Sequence, residues 1–151
     1  MLNTIGYEGA SLSDFLDTLE LAGISKLIDV RDRAQSRKKG FSKTALSNAL
    51  AERGISYLHL KVLGDPKEGR EAARAGNWKK FDKIYRTVMR SQEAREAIGQ
   101  ITEIIENETA CLLCYERDHT TCHRKYISDN IDLHTGQKTR HLGVKKFATA
   151  A

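Results

Sequence analysis

Gly23-Ile24-Ser25-Lys26-Leu27-Ile28-Asp29-Val30-Arg31 and Gly54-Ile55-Ser56-Tyr57-Leu58-His59-Leu60 are the two stretches that decide the fold. Each begins with a glycine that closes an amphipathic helix and then runs into an apolar strand. Upstream of the first, Ser11 and Asp14 form a capping-box-like pair, and Leu12, Phe15, Leu16 and Leu19 recur at helical spacing. Gly23 stands where a left-handed residue is wanted. Upstream of the second, Ser42 is placed to cap a helix whose apolar face carries Ala45, Leu46, Ala49 and Leu50. Two helix-to-strand joints of one form predict successive βα units of a single sheet.

The pattern continues on both sides. Leu2 to Tyr7 reads as the first strand, Lys26 to Arg31 as the second and Ile55 to Leu60 as the third. Gly64 to Asn77 breaks the rhythm with the chain's only proline, three glycines and six charges, as a functional lid or mobile loop does. Two helices follow, one lined by Trp78, Phe81, Tyr85 and Val88, the other by Ala94, Ile98, Ile101 and Ile105. Thr109 to Tyr115 is the fourth strand, and Thr120 or Thr121 caps a helix reaching about Leu133. Thr139 to Leu142 is a fifth strand, and residues 144–151 read as a frayed tail. The expected architecture is one α/β domain over residues 1–151: Rossmann-like, doubly wound, with a mostly parallel sheet of four to five strands in the order 3-2-1-4-5. Ligands of such sheets sit beyond the carboxyl ends of the strands where the order reverses. Tyr7-Glu8-Gly9, Arg31 to Arg37 and Cys114 to Arg124 would meet there.

Composition agrees with this reading. The chain has 151 residues, 40 % of them apolar and 30 % charged, enough to bury one core without disulfide or metal staples. No apolar run approaches the roughly 18 residues of a membrane span, so no membrane partner is expected. Met1 to Gly9 lacks the features of a signal peptide, and three cysteines fit a reducing cytoplasm better than a disulfide framework. The net charge of +5 is carried entirely by residues 31–43, where Arg31, Arg33, Arg37, Lys38, Lys39 and Lys43 face only Asp32. Such a run is either a solvated loop or a site for phosphate, nucleotide or nucleic-acid backbone. Phe41 is its only aromatic, a poor base-stacking platform.

The cysteines fall in Cys111-Leu112-Leu113-Cys114 and Cys122-His123. Four potential zinc ligands are present, but Cys111 and Cys114 on one strand face opposite sides, so no metal is expected there and Cys111 reads as core. Cys114 would end the strand beside the crevice. Cys122, in the first turn of the next helix, would be favoured as a thiolate by free backbone N–H groups, with Arg117, His123 and Arg124 lowering its pKa. Adjacent helical side chains diverge by about 100°, so His59 or His119 rivals His123 as the proton partner of Cys122. Glu8 and Glu116 would flank the crevice as acid and base, or hold Arg31 or Arg124 in ion pairs. Asp29 would accept hydrogen bonds from a backbone turn or an arginine. No Gly-x-Gly-x-x-Gly, P-loop lysine or Gly-x-Ser-x-Gly is present, so no dinucleotide or ATP cofactor is indicated.

These segments also carry a family resemblance. Thr4-Ile5-Gly6-Tyr7-Glu8-Gly9, Leu27 to Arg31, Ser36-Arg37 before Gly40-Phe41-Ser42-Lys43, and Leu63-Gly64 resemble the DUF488 family, as do Cys114-Tyr115-Glu116-Arg117-Asp118 and Cys122-His123-Arg124. The resemblance runs from Thr4 to about Leu142 and implies a small α/β domain of unestablished activity. Ala34 stands where the family pattern implies a proline. A looser similarity to rhodanese-like sulfurtransferases rests on Ile28 to Arg31 and a cysteine ending a later strand, but Glu116 and Asp118 would repel an anion there.

The expectation is a cytoplasmic enzyme acting on a phosphate-bearing small molecule or nucleic acid. Tyr7, Arg31, Arg37, His123 and Arg124 would bind the anion, Glu8 or Glu116 would move protons, and Cys114 or Cys122 would supply a nucleophile. The alternatives are a non-catalytic nucleotide- or nucleic-acid-binding module and a cysteine-based metal, redox or sulfurtransferase-like site.

Overall fold

The structure, a computed structural model, describes residues 1–147. Five parallel strands form one sheet: β1 (Leu2–Gly6), β2 (Lys26–Asp29), β3 (Ser56–His59), β4 (Ala110–Cys114) and β5 (Arg140–Leu142). The helices are α1 (Leu12–Leu21), α2 (Lys43–Glu52), α3 (Lys67–Arg74), α4 (Trp78–Arg90), α5 (Gln92–Asn107) and α6 (Arg124–Thr135). The α/β class is as expected, but the strand order is 3-2-4-1-5. β4 therefore lies between β2 and β1, pairing Ala110 with both Lys26 and Leu2. Side chains account for this. All five residues of β4 are apolar and fully buried. β1 instead carries Asn3 and Thr4, which bond to Arg140 and His141 of β5. The strand with no polar side chain takes the centre.

Phe15, Leu16 and Leu19 of α1 and Leu46 and Leu50 of α2 cover one face of the sheet, against Ile5, Leu27, Cys111 and Leu113. Ala97, Ile101 and Ile105 of α5 and Ile127 and Ile131 of α6 cover the other, against Leu2, Ile28 and Leu112. The chain leaving β4 thus heads to the face opposite the chains leaving its two neighbours. The crevice opens around the carboxyl end of β4, where Tyr7, Arg31 and Cys114 were expected to meet.

Several local expectations change. Ser11 caps α1 through Asp14 N (3.1 Å) and Gly23 is left-handed (φ +72°), as read. Ser42 precedes α2 but does not cap it, because its Oγ accepts from Ser36 N (3.0 Å) and folds the basic loop back on itself. Residues 64–77 are not a structureless lid. Pro66 starts α3, which leans on α4 through Ala72, Phe81 and Tyr85. The helix expected from Thr120 or Thr121 begins only at Arg124, because Asp118 captures Thr120 N (2.9 Å) and closes a short 3-10 turn over His119–Thr121. Residues 144–147 are not frayed: Val144 joins the core, and Lys145 N and Phe147 N donate to Thr18 Oγ1 and Asp14 Oδ1 of α1. The rest of that segment, 148–151, lies outside the described residues. No described helix is long and apolar enough to cross a membrane.

Candidate functional site

A cleft of about 720 Å³ opens at the carboxyl ends of the strands. Of the residues singled out in the sequence, Tyr7, Arg31, Arg37, Cys114, Glu116, Cys122 and His123 line it. Glu8 does not line it. Its carboxylate accepts from Arg117 N (3.0 Å), tying the loop after β1 to the loop after β4. Arg124 lies behind the floor, 1 % exposed. Its Nη1 donates to Cys114 Sγ (2.9 Å) and to Glu116 O (2.5 Å), and its Nη2 donates to Arg117 O (3.1 Å). It clamps the loop after β4 rather than reaching a ligand. That loop presses on β1 so closely that a Cβ on Gly6 would stand 1.8 Å from Glu116 O.

Arg31 lines the cleft but is largely consumed in place. Its Nε and Nη2 donate to the Asp29 carboxylate and its Nη1 to Phe41 O (2.7 Å), while Tyr7 Oη lies 3.4 Å away. The expectation for Asp29 holds, since Arg31 N also donates to its Oδ1 (3.0 Å). Phe41 is wholly buried and stacked on Tyr7 (4.6 Å), a core residue.

The cleft's free cations come from elsewhere. Arg33, Arg37 and Arg74 line it, and none of them makes a salt bridge or side-chain hydrogen bond among the described residues. Arg70 lines it too, held by Asp32 Oδ2 (2.9 Å) and Asp65 O (2.8 Å). Sequence reading missed Arg70, Arg74, Asp65 and Trp78. The i,i+4 spacing of Arg70 and Arg74, which puts them on one helix face, was a signal that could have found two of them. Asp65 is 7 % exposed with Oδ1 unpartnered among the described residues, and burial pushes its carboxyl up to about 7. Burial likewise raises the Glu116 carboxyl above the ordinary range.

Cys114 and Cys122 form the floor, their sulfurs bonded and their α-carbons 7.5 Å apart. The expectation of reduced thiols without a disulfide therefore does not describe this pair, which the fold brings together from across eight residues. Cys111 faces the α1 and α2 side, buried, as read from strand parity. Cys122 is not helical but extended (φ −130°, ψ 146°), so the divergence expected of neighbouring helical side chains does not apply. His123 Nδ1 stands 3.7 Å from Cys122 Sγ. The rival histidines are engaged elsewhere: His59 Nε2 bonds to Arg31 O (2.7 Å) and His119 stacks on His141 (3.6 Å).

His123 Nε2 is 2.7 Å from Val30 O. A carbonyl oxygen only accepts, so the proton sits on Nε2 and Nδ1 turns a lone pair toward Cys122. Burial holds the His123 pKa down to about 4, which keeps the ring neutral.

Fold and site together define a small parallel α/β domain with an arginine-lined, cysteine-floored cleft at its strands' carboxyl ends. The chain belongs to the DUF488 family, a domain of unknown function, whose model matches residues 11–131. The matched span takes in both cysteine segments and the basic loop, while Thr4 to Gly9 falls before it. No curated protein and no solved structure matches the chain.

Proposed function

We propose that this chain is a thiol-dependent enzyme that takes a phosphate-bearing small molecule into the cleft. The observation that carries the reading is that three arginines without an ion-pair partner among the described residues, Arg33, Arg37 and Arg74, line the same cavity as Cys114, Cys122 and His123. Guanidinium groups match phosphate oxygens in geometry and charge. A volume of about 720 Å³ lies in the range of small-molecule pockets, which favours a small molecule over a polymer. Trp78 and Tyr115, 46 % and 49 % exposed on the cleft lining, offer flat apolar surface to a base or sugar.

The test is binding of pyrophosphate, nucleoside 5′-phosphates and sugar phosphates by calorimetry, for the native chain and for Arg37→Ala/Arg74→Ala. The expected result is binding that weakens with salt and falls at least about tenfold in the double variant, as for the loss of charge-assisted bonds. Equal affinity in both proteins, or no ligand binding below millimolar concentration, overturns the reading. Phosphorus NMR on reduced protein, before and after alkylation of the floor cysteines, separates an enzyme from a binding module. Conversion of a bound compound stops on alkylation in the first case and never occurs in the second.

A further inference from the structure

The two cysteines and the histidine on the cleft floor form more than a thiol pair. Cys114 Sγ, Cys122 Sγ and a ring nitrogen of His123 all lie within 4.8 Å of one another, and all three residues are buried yet line the cleft. The His123 ring is oriented as metal-ligating histidines are, with one nitrogen donating its proton to a backbone carbonyl and the other free. Tyr85 packs against that ring (centroids 5.2 Å apart) and holds its plane. Among the described residues the free nitrogen has no polar partner other than Cys122 sulfur, although His123 is only 7 % exposed.

We propose that in the reduced protein Cys114, Cys122 and His123 bind one zinc-class divalent ion, whose fourth position opens to the arginine-lined cleft. Two thiolates and an imidazole are the donor set of a borderline-soft ion. Three protein ligands with an open position mark a catalytic rather than a structural zinc site. The α-carbons of Cys114 and Cys122 stand 7.5 Å apart. That separation suits two thiolates on either side of a shared ion. The charges also balance. Two thiolates cancel the ion, and Arg124, donating to Cys114 Sγ, stands against Glu116, whose Oε2 is 3.6 Å from the same sulfur.

Loading starts from the sulfur–sulfur bond. An external dithiol gives two electrons and two protons to Cys114 and Cys122 and becomes a disulfide itself. The two thiols then lose their protons to water as the ion binds. The site deepens the function proposed above by naming how the thiols act, and it rests on that reading only for the substrate. The ion would meet a phosphate or water oxygen that the arginines bring to it.

The experiment is titration of the full-length chain, reduced with a phosphine, with cobalt(II) and then zinc(II). One equivalent of cobalt should give the near-ultraviolet sulfur-to-metal charge-transfer band and the intense visible bands of a tetrahedral site, and zinc should bleach both. Cys122→Ser and His123→Ala should weaken cobalt binding at least about 100-fold, whereas Cys111→Ser leaves it unchanged. Absence of charge-transfer absorption in the native protein, with both floor thiols free to react, overturns the site without reference to any variant. Pyrophosphate then separates the two proposals. A shift of the visible bands supports both, and cobalt bands indifferent to pyrophosphate uphold the ion site while removing the phosphate reading.

Discussion

Arg31 holds both carboxylate oxygens of Asp29, with Nη2 2.7 Å from Oδ2 and Nε 2.9 Å from Oδ1, and the pair is almost wholly buried. A third bond, from Nη1 to Phe41 O, ties the end of β2 to the far side of the basic loop. The arginine two residues past β2 is thus the hinge pin of the cleft wall rather than a free anion ligand.

Arg31→Ala should therefore cost stability first. It leaves the Asp29 carboxylate buried with only Tyr57 and a backbone amide as partners, and removing one member of a buried pair costs about 3–5 kcal/mol. Urea unfolding at neutral pH measures it. A loss under about 1 kcal/mol would show that the clamp is dispensable.

Asp65→Asn should stabilise the protein in a pH-dependent way. The folded carboxyl titrates near 7 against 3.8 for the free group, so the folded state holds its proton more tightly. Through this group, stability falls as pH rises from about 4 to about 7 and stays reduced above. Thermal unfolding should show a gain on the order of 2 kcal/mol at pH 8 and little at pH 4. An equal effect at both pH values would contradict the burial argument.

His141 behaves in the opposite sense. Burial, with the stacked His119 ring adding to it, lowers its pKa to about 4 from 6.5. The unfolded chain then binds the proton more readily, and stability is lost as pH falls from about 6.5 to about 4. His141→Asn keeps an acceptor for Thr4 and removes the charge. The acid-side loss should shrink by about 1 kcal/mol after allowance for solvent screening, read from melting curves at pH 7 and pH 4.5. An unchanged acid slope would point to another group.

Gly64→Ala should deform the cleft. A Cβ there would stand 2.3 Å from Asp32 Cα and 2.4 Å from Asp32 N, backbone atoms that cannot step aside alone. Asp32 must move, loosening its ion pair with Arg70. A stability loss of roughly 1–3 kcal/mol is expected, together with weaker pyrophosphate binding. Native stability in the variant would mean that the two loops separate freely.

Cys111 should resist alkylation in the reduced native protein while Cys114 and Cys122 react. It is fully buried, and burial raises its thiol pKa far above the ordinary range. Mass mapping of maleimide adducts over time checks this. Labelling of Cys111 at the rate of the cleft cysteines would place it elsewhere in the fold.

Helix spacing, cap residues and left-handed glycines are local properties, so α1, α4 and α5 and the parallel α/β class were legible from Ser11, Gly23 and the apolar stripes alone. The position of the cleft was legible too, because any alternation of this kind gathers the carboxyl ends of its strands. Strand order was not. Whether β4 pairs with β1 on one side or with β1 and β2 on both depends on contacts across some eighty residues, which periodicity does not encode. The conformation of Cys122 escaped for a related reason: Asp118 captures Thr120 N and delays the helix, and that competition between side chain and backbone left two starting points open.

By itself, the sequence determined most of the strands and helices, the mostly parallel α/β class, and the gathering of Tyr7, Arg31, Cys114 and Cys122 at one end, since burial periodicity and cap chemistry act within a few residues. Only the tertiary structure decided which charges remain available. Asp29 consumes Arg31 and α3 brings in Arg74, while Val30 fixes the His123 ring beside two sulfurs. Each of these depends on which groups satisfy one another across the fold, and a buried polar group takes whatever partner the packing brings within reach.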